Sequence, residues 1–292
     1  MAVTTPSNIP VGRSLWDDAK GRLFSNKATV VSFFLLLFIT SFAIFGPMLN
    51  GNPFDKIFWD HVNIAPSLDA GFWFGTDANG RDLFVRTMYG ARISLTVALI
   101  ASMVSLFIGV TYGAISGFLG GKVDTYMMRF VDVLYSLPYM FFVILLMVFF
   151  GRKIYLIFIA IGAVEWLDMA RVVRGQTLSL KRKEFIEAAV AGGLTKFQII
   201  RKHIIPNILG PVVVFLTMTI PKVILLESFL SFLGLGVQEP MTSWGVLISE
   251  GADQMETAWW SLLFPASFLA TTLFCFNFIG DGLRDALDPK DR

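Results

Sequence analysis

The residues with chemistry to offer are few, and most sit in apolar surroundings. Glu165, Asp168, Arg171 and Arg174 follow one another at i+3 spacing, which on a helix makes a drifting ladder of charges along one face. Lys222 and Glu227, five residues apart, interrupt another apolar stretch. Ionisable groups within hydrocarbon are costly, so Glu165, Asp168, Lys222 and Glu227 are candidates for pairing between helices or for a polar pathway. Asp168 with Arg171 is the expected pair of the ladder. Catalytic constellations are missing: there is no His-Glu-x-x-His zinc helix and no Gly-x-Ser-x-Gly elbow. Asp77-Ala78-Asn79-Gly80 opens like a calcium loop, but Asp82 and Met88 stand where glycine and glutamate are required. A tight structural turn is expected there, and no metal site.

The elements that must position these groups are membrane helices. Of 292 residues, 55% are hydrophobic and only 16% charged, with 29 Phe and a mean hydropathy of +0.66. Soluble domains carry about 25% charged residues. The composition excludes a disordered chain, a disulfide-stapled secreted module and an ordinary cytosolic enzyme. A net charge of +2 gives no reason to expect nucleic-acid binding, and Cys275 stands alone in an apolar run. No secretory leader is expected; the first apolar stretch stays as an anchor.

Runs that reach or approach the roughly 20 apolar residues of a span cover 28–54, 93–121, 133–151, 154–170, 204–221 and 257–280, the fourth only if it continues past Glu165. The expected fold is therefore an all-α membrane protein of six transmembrane helices. Residues 228–236 are too short to cross and read as a partial or interfacial helix. Lys and Arg cluster in the tail 1–27, the loop 171–205 and the tail 284–292, whereas the loop 237–256 has four acids and no Lys or Arg. Both termini are thus expected in the cytoplasm. A six-helix domain over 28–283 would carry an external loop at about 50–91 and a cytoplasmic one at about 171–205. Prolines 138, 206, 211, 221 and 265 fall in or at the ends of spans, where kinks are expected.

Two cytoplasmic segments have helical pattern. In the tail, Leu15, Ala19 and Leu23 repeat at i, i+4 and i+8 after Ser14, as in an amphipathic helix lying on the inner surface. In the loop 171–205, residues 178–191 read as a short helix ended by Gly192-Gly193, and a second segment follows over 195–205 and stops at Pro206. A helix–Gly–helix of this size suits docking of a cytoplasmic partner; a solvated charged face is the alternative.

This loop resembles the EAA motif of bacterial ABC-importer permeases, standing here as Glu187-Ala188-Ala189-x3-Gly193-x9-His203-Ile204-Ile205-Pro206. It departs at His203, where the general pattern has an aliphatic residue, and at Ile205 in place of Leu. Four other segments are similar to the peptide-transporting branch. They are Phe74-Gly-Thr-Asp-Ala-Asn-Gly-Arg-Asp82, Arg174-Gly-Gln-Thr-Leu-Ser-Leu180, Glu227-Ser-Phe-Leu-Ser-Phe-Leu-Gly-Leu-Gly236 and Gly280-Asp-Gly-Leu-Arg-Asp-Ala-Leu-Asp-Pro289. The likeness covers nearly the whole chain and is greatest to C-type subunits of oligopeptide permeases, then to dipeptide permeases.

The resemblance implies the type I ABC-importer permease fold in a bacterial inner membrane. It implies a second homologous permease, two cytoplasmic ATPases that bind ATP and Mg, and a periplasmic peptide-binding protein. This chain is expected to bind no cofactor, since no Gly-x4-Gly-Lys-Ser/Thr loop is present. In the family the EAA helix is the coupling helix, which assigns docking on an ATPase to Glu184, Glu187, Ala188, Ala189, Gly192 and Gly193. Small Ala188 and Ala189 would let a partner approach, Glu187 would accept hydrogen bonds, and Gly193 would turn the chain. Lys222 and Glu227 would then either pair with the second permease or face the pathway. Carriage of dipeptides or a small substrate such as nickel is the near alternative; an ATP-independent channel is the distant one.

Overall fold

The computed structural model describes residues 15–151 and 154–287, and among these all regular structure is helical. Helix α1 (Leu15–Ser25) leads into α2 (Lys27–Asn50), with the Asn26 side chain capping α2 by accepting from the amides of Ala28 and Thr29 at 3.1 and 3.3 Å. After a loop containing one 3₁₀ turn come α3 (Leu83–Leu119), α4 (Gly121–Ser136), α5 (Tyr139–Phe150) and α6 (Ile154–Leu180). Two short helices, α7 (Glu184–Ala191) and α8 (Lys196–Ile199), precede α9 (Ile205–Phe232), α10 (Trp244–Asp253) and α11 (Trp260–Leu287).

Four of these stretches are long and apolar enough to cross a membrane: α2, α3, the run Lys196–Phe232 and α11. A fifth is the pair α4 and α5 taken together, bent by 78° where Leu137 and Pro138 separate them. Helix α6 spans 27 residues, about 40 Å, but its charge ladder keeps it out of that set.

Residues 178–191 are not one helix, since α6 runs to Leu180 and α7 starts only at Glu184 after a turn. Two further boundaries differ from the sequence expectation for local reasons. Pro206 does not stop a helix. A π turn over Ile200–Ile204 widens the backbone just ahead of it, and the proline sits in the first turn of α9, where it has no amide bond to lose. Residues 228–232 are not a separate interfacial helix, because α9 runs unbroken to Phe232 and turns only at Leu233 and Gly234.

The tightest seam joins α3 to α6. Gly109, Gly113 and Gly117 recur every fourth residue on one face of α3. A β-carbon at these positions would stand 2.5, 2.9 and 2.9 Å from the β-carbons of Met169, Val173 and Thr177. Small residues at this spacing let two membrane helices pack backbone against backbone. At one end of the bundle, α2 crosses α11 closely: the Thr29 hydroxyl donates to the Phe278 carbonyl at 3.2 Å. At the other end the loop 51–82 folds over α10 and the start of α11, where the Trp260 indole donates to the Thr76 carbonyl at 3.3 Å.

Candidate functional site

Helix α7 stands at the end of the bundle where α6 and α9 meet. Glu184 and Glu187 lie in its first turn, where the helix dipole favours acids, and both are exposed. Its far end closes in a Schellman motif: Leu194 donates to the Ala189 carbonyl at 3.2 Å and Gly193 to the Val190 carbonyl at 3.0 Å. Gly193 takes φ +80°, the left-handed region that disfavours side chains, whereas Gly192 at φ −73° is ordinary backbone. Thr195 and Gln198 then form a capping box for α8.

The two faces of α7 do different things. Ile186 and Ala189 are buried in a cluster with Phe118 of α3, Met169 and Val173 of α6, and Ile204 beside α9. Sequence reasoning gave Ala188 and Ala189 the same outward role, but Ala189 packs inward and only Ala188 is exposed. Phe185, Val190 and, from α8, Phe197 expose bare apolar surface beside it, 42%, 56% and 69% accessible. A force on α7 would therefore reach α3 as well as the two helices that flank its loop.

The ladder on α6 does not pair within itself. Arg171 reaches Asp132 of α4 at 2.8 Å rather than Asp168, and its guanidinium lies 4.2 Å from the centre of the Tyr135 ring. Asp168 instead accepts a hydrogen bond from the Tyr135 hydroxyl. Arg174 grips Asp124 through two bonds of 2.5 and 2.6 Å, and Ser116 donates to the same carboxylate at 2.5 Å. Three of the four ladder residues thus bind α6 to α4. Asp124 and Asp132 went unnoticed in the sequence because nothing local marks them as partners of residues about forty to fifty positions away.

Glu165, the fourth, opens onto a cavity of about 620 Å³ between the α4–α5 elbow, α6 and α9. Asp168, Lys222, Tyr135 and apolar groups such as Leu225 and Phe229 share its wall. So three of the four intramembrane candidates meet at one place. Glu227 does not join them. It is fully buried on the other side of α9, accepting from Ser94 of α3 at 2.9 Å and from Ser231 at 2.7 Å. Ser94 in turn accepts the amide of Trp244 at 3.3 Å, so the group ties α3 and α9 to the start of α10.

The turn at residues 77–82 is built as a turn. The Asp77 carboxylate accepts the amides of Asn79 and Arg81 at 2.9 and 2.8 Å, Gly80 takes φ +71°, and Asp82 caps α3. Arg81 and Arg86 then join Asp77 to Glu239 and Glu250 in a five-residue ion network. The hydrogen bond from Arg81 holds the Glu239 carboxyl below the usual range, while burial pushes the Glu250 carboxyl up against the pull of both arginines. Among the described residues no cluster of His, Cys, Asp and Glu is arranged to hold a metal ion.

The short exposed helix α7 is thus fastened to three long helices of the bundle. The chain belongs to the inner membrane components of binding-protein-dependent transport systems, whose model matches residues 109–292. Residues 14–66 match the N-terminal TM domain of oligopeptide transport permease C. The oligopeptide transport system permease protein OppC of Haemophilus influenzae is 59% identical over 281 residues, 96% of this chain and 90% of that protein. The dipeptide transport system permease protein DppC of Bacillus subtilis is 46% identical over 280 residues, 96% of this chain and 87% of that one. A chain of the MetNI methionine ABC transporter, solved in inward-facing conformations, shares the fold. It has a TM-score of 0.57 at 17% identity and covers 70% of this chain and 96% of its own length.

Proposed function

We propose that the chain is the C-type permease subunit of an ATP-driven importer of oligopeptides in a bacterial inner membrane. It crosses the membrane six times, α6 included, with both termini in the cytoplasm and the type I importer fold. One copy pairs with a second, homologous permease. Two ATPases hydrolyse ATP on the cytoplasmic side, and a periplasmic binding protein delivers peptide to the other. This chain carries no ATP chemistry of its own.

The observation that carries this reading is the construction of α7. Its inner face is locked into α3, α6 and α9, while its outer face presents Glu184, Glu187, Ala188 and apolar Phe185 and Val190 to a partner. ATPase closure against that face would rock the three helices together and alternate access to the pathway. Carriage of dipeptides is the second reading, favoured less because the dipeptide relative is 46% identical and the oligopeptide one 59%.

The test is uptake by the four-protein transporter and its binding protein in proteoliposomes. ATP-dependent accumulation of oligopeptide is expected, and it should vanish when Glu187→Ala is combined with Gly193→Pro. Accumulation that needs no ATP, or that ignores this double substitution, would overturn the reading in favour of a channel.

A further inference from the structure

The cavity between α4, α5, α6 and α9 holds two opposite charges, Glu165 and Lys222, and neither makes a direct ion pair among the described residues. The Glu165 carboxylate has no hydrogen-bond or ion-pair partner among the described residues; the Ser105 hydroxyl donates to the Glu165 backbone carbonyl and leaves the carboxylate alone. Lys222 likewise forms no ion pair there. Its ammonium lies 5.9 Å from the centre of the Phe215 ring, and it is the cation whose field reaches Glu165. Asp168 is different, being occupied by Tyr135.

Glu165 and Lys222 are also at one depth. Glu165 is eleven residues from the Ile154 end of α6 and Lys222 ten from the Phe232 end of α9. The two helices run antiparallel, so each charge lies about 15 Å from the same end of the bundle. Charges at mid-membrane that make no direct ion pair are costly, and so are functional suspects. A volume of about 620 Å³ falls within the roughly 300–1,000 Å³ of sites that hold small molecules.

The geometry points to a dipolar subsite for the main chain of a passing peptide, and this rests on the importer reading above. Glu165 receives the N-terminal ammonium, and Lys222 donates to a backbone carbonyl or terminal carboxylate oxygen. Apolar walls such as Leu225, Leu226 and Phe229 accommodate side chains without selecting among them. A carrier that accepts many sequences can hold only what all peptides share, and the ammonium terminus is the one full positive charge common to them.

The experiment uses the complete transporter with its binding protein in proteoliposomes, carrying Glu165→Gln, Glu165→Asp, Lys222→Gln or the exchange Glu165→Lys with Lys222→Glu. The readouts are uptake of a free-amino peptide, uptake of its N-acetylated form, ATP turnover, and recovery of assembled complex. Affinity of the binding protein for each peptide is measured separately.

Glu165→Gln should lower uptake of the free-amino peptide about tenfold or more, the loss of one charge-assisted hydrogen bond. ATP turnover should hold within about twofold, and uptake of the acetylated peptide should not fall further. Glu165→Asp should restore most uptake, and the charge exchange should restore none. Unchanged uptake, loss of assembly with Glu165→Gln, or equal losses for both peptides would overturn the proposal. Recovery by the exchange would also overturn it, showing that the two residues serve each other or a neighbouring helix. If the unmodified transporter moves no peptide at all, the importer reading itself fails, a result distinct from any of these.

Discussion

The Arg81 guanidinium and the Glu239 carboxylate, 158 positions apart, are 2.8 Å from one another and clamp the loop before α3 to the loop after α9. Arg81 is almost wholly buried, whereas the Glu239 side chain is 63% exposed, so the two ends of the pair carry unequal weight. Removing Arg81 leaves Asp77 facing Arg86 alone inside the cap. Removing Glu239 takes away a solvated anion. Arg81→Met should therefore cost about 3 kcal/mol or more of thermal stability in detergent, as for a broken buried pair. Glu239→Gln should cost at most about 1 kcal/mol.

The same pair sets a pH dependence. The Arg81 hydrogen bond lowers the Glu239 carboxyl below its ordinary value, so the folded state releases that proton more readily than the unfolded one. The stabilisation is fully present above the unfolded value of about 4.3 and is lost as pH falls through the lower, folded value. Melting temperatures of the parent protein and Glu239→Gln should differ at pH 6, and the gap should narrow as pH falls below about 4. A gap that widens on acidification would contradict the sign.

The turn after α7 makes a sharper distinction. Gly193 stands at φ +80° with no atom within 4 Å of an added β-carbon, so a side chain there meets backbone strain rather than a collision. Gly193→Val should cost about 1–2 kcal/mol locally and loosen α7 from the buried cluster of Ile186 and Ala189. Peptide delivered per ATP should drop while the transporter still assembles. Gly192→Ala, on ordinary backbone, should change that ratio far less. Equal effects of the two would show that the turn is not what couples.

Much of this machinery could be read ahead of any coordinates, because its signals are local. The Gly192-Gly193 stop, the turn built on Asp77 and Gly80, and the charge ladder on α6 each lie within a dozen residues. What was hidden depends on distance or on rare backbone. Glu227 and Ser94 meet across 133 positions, and no period in either segment announces it. Helix α10 is only ten residues long, too short for the face it buries through Trp244, Leu247 and Gly251 to stand out from the loop around it. Pro206 misled because a π turn leaves no mark in sequence. The inward turn of Ala189 depended on which way α7 would roll, and the neighbours decide that.

The glycine seam between α3 and α6 makes a prediction of opposite signs. A side chain at Gly113 would run into Val173 and the backbone of Arg174, so Gly113→Leu should force the helices apart at a cost of about 1–3 kcal/mol. Gly175 of α6 faces away from the seam and has no atom within 4 Å of an added β-carbon. Gly175→Ala should stabilise the isolated subunit by about 0.5–1 kcal/mol through helix propensity alone. Thermal melts of the purified chain would show both shifts. A neutral Gly113→Leu would mean that the seam is looser than its distances imply.

Glu227 offers the last case, where chemistry rather than volume is changed. Its two oxygens each take a serine hydroxyl, and the Ser94 hydroxyl also takes the Trp244 amide at the start of α10. Glu227→Gln keeps the shape and one acceptor, and a serine hydroxyl can turn to accept from the new amide. That change should fall within about 1 kcal/mol of the parent. Glu227→Leu leaves two buried hydroxyls without their acceptor and should cost about 1–3 kcal/mol. Because the loss falls on the link between α3 and α10, amide exchange should rise in residues 244–253 before it rises in α7 or α8. If exchange rises uniformly instead, Glu227 supports the whole bundle and not this junction.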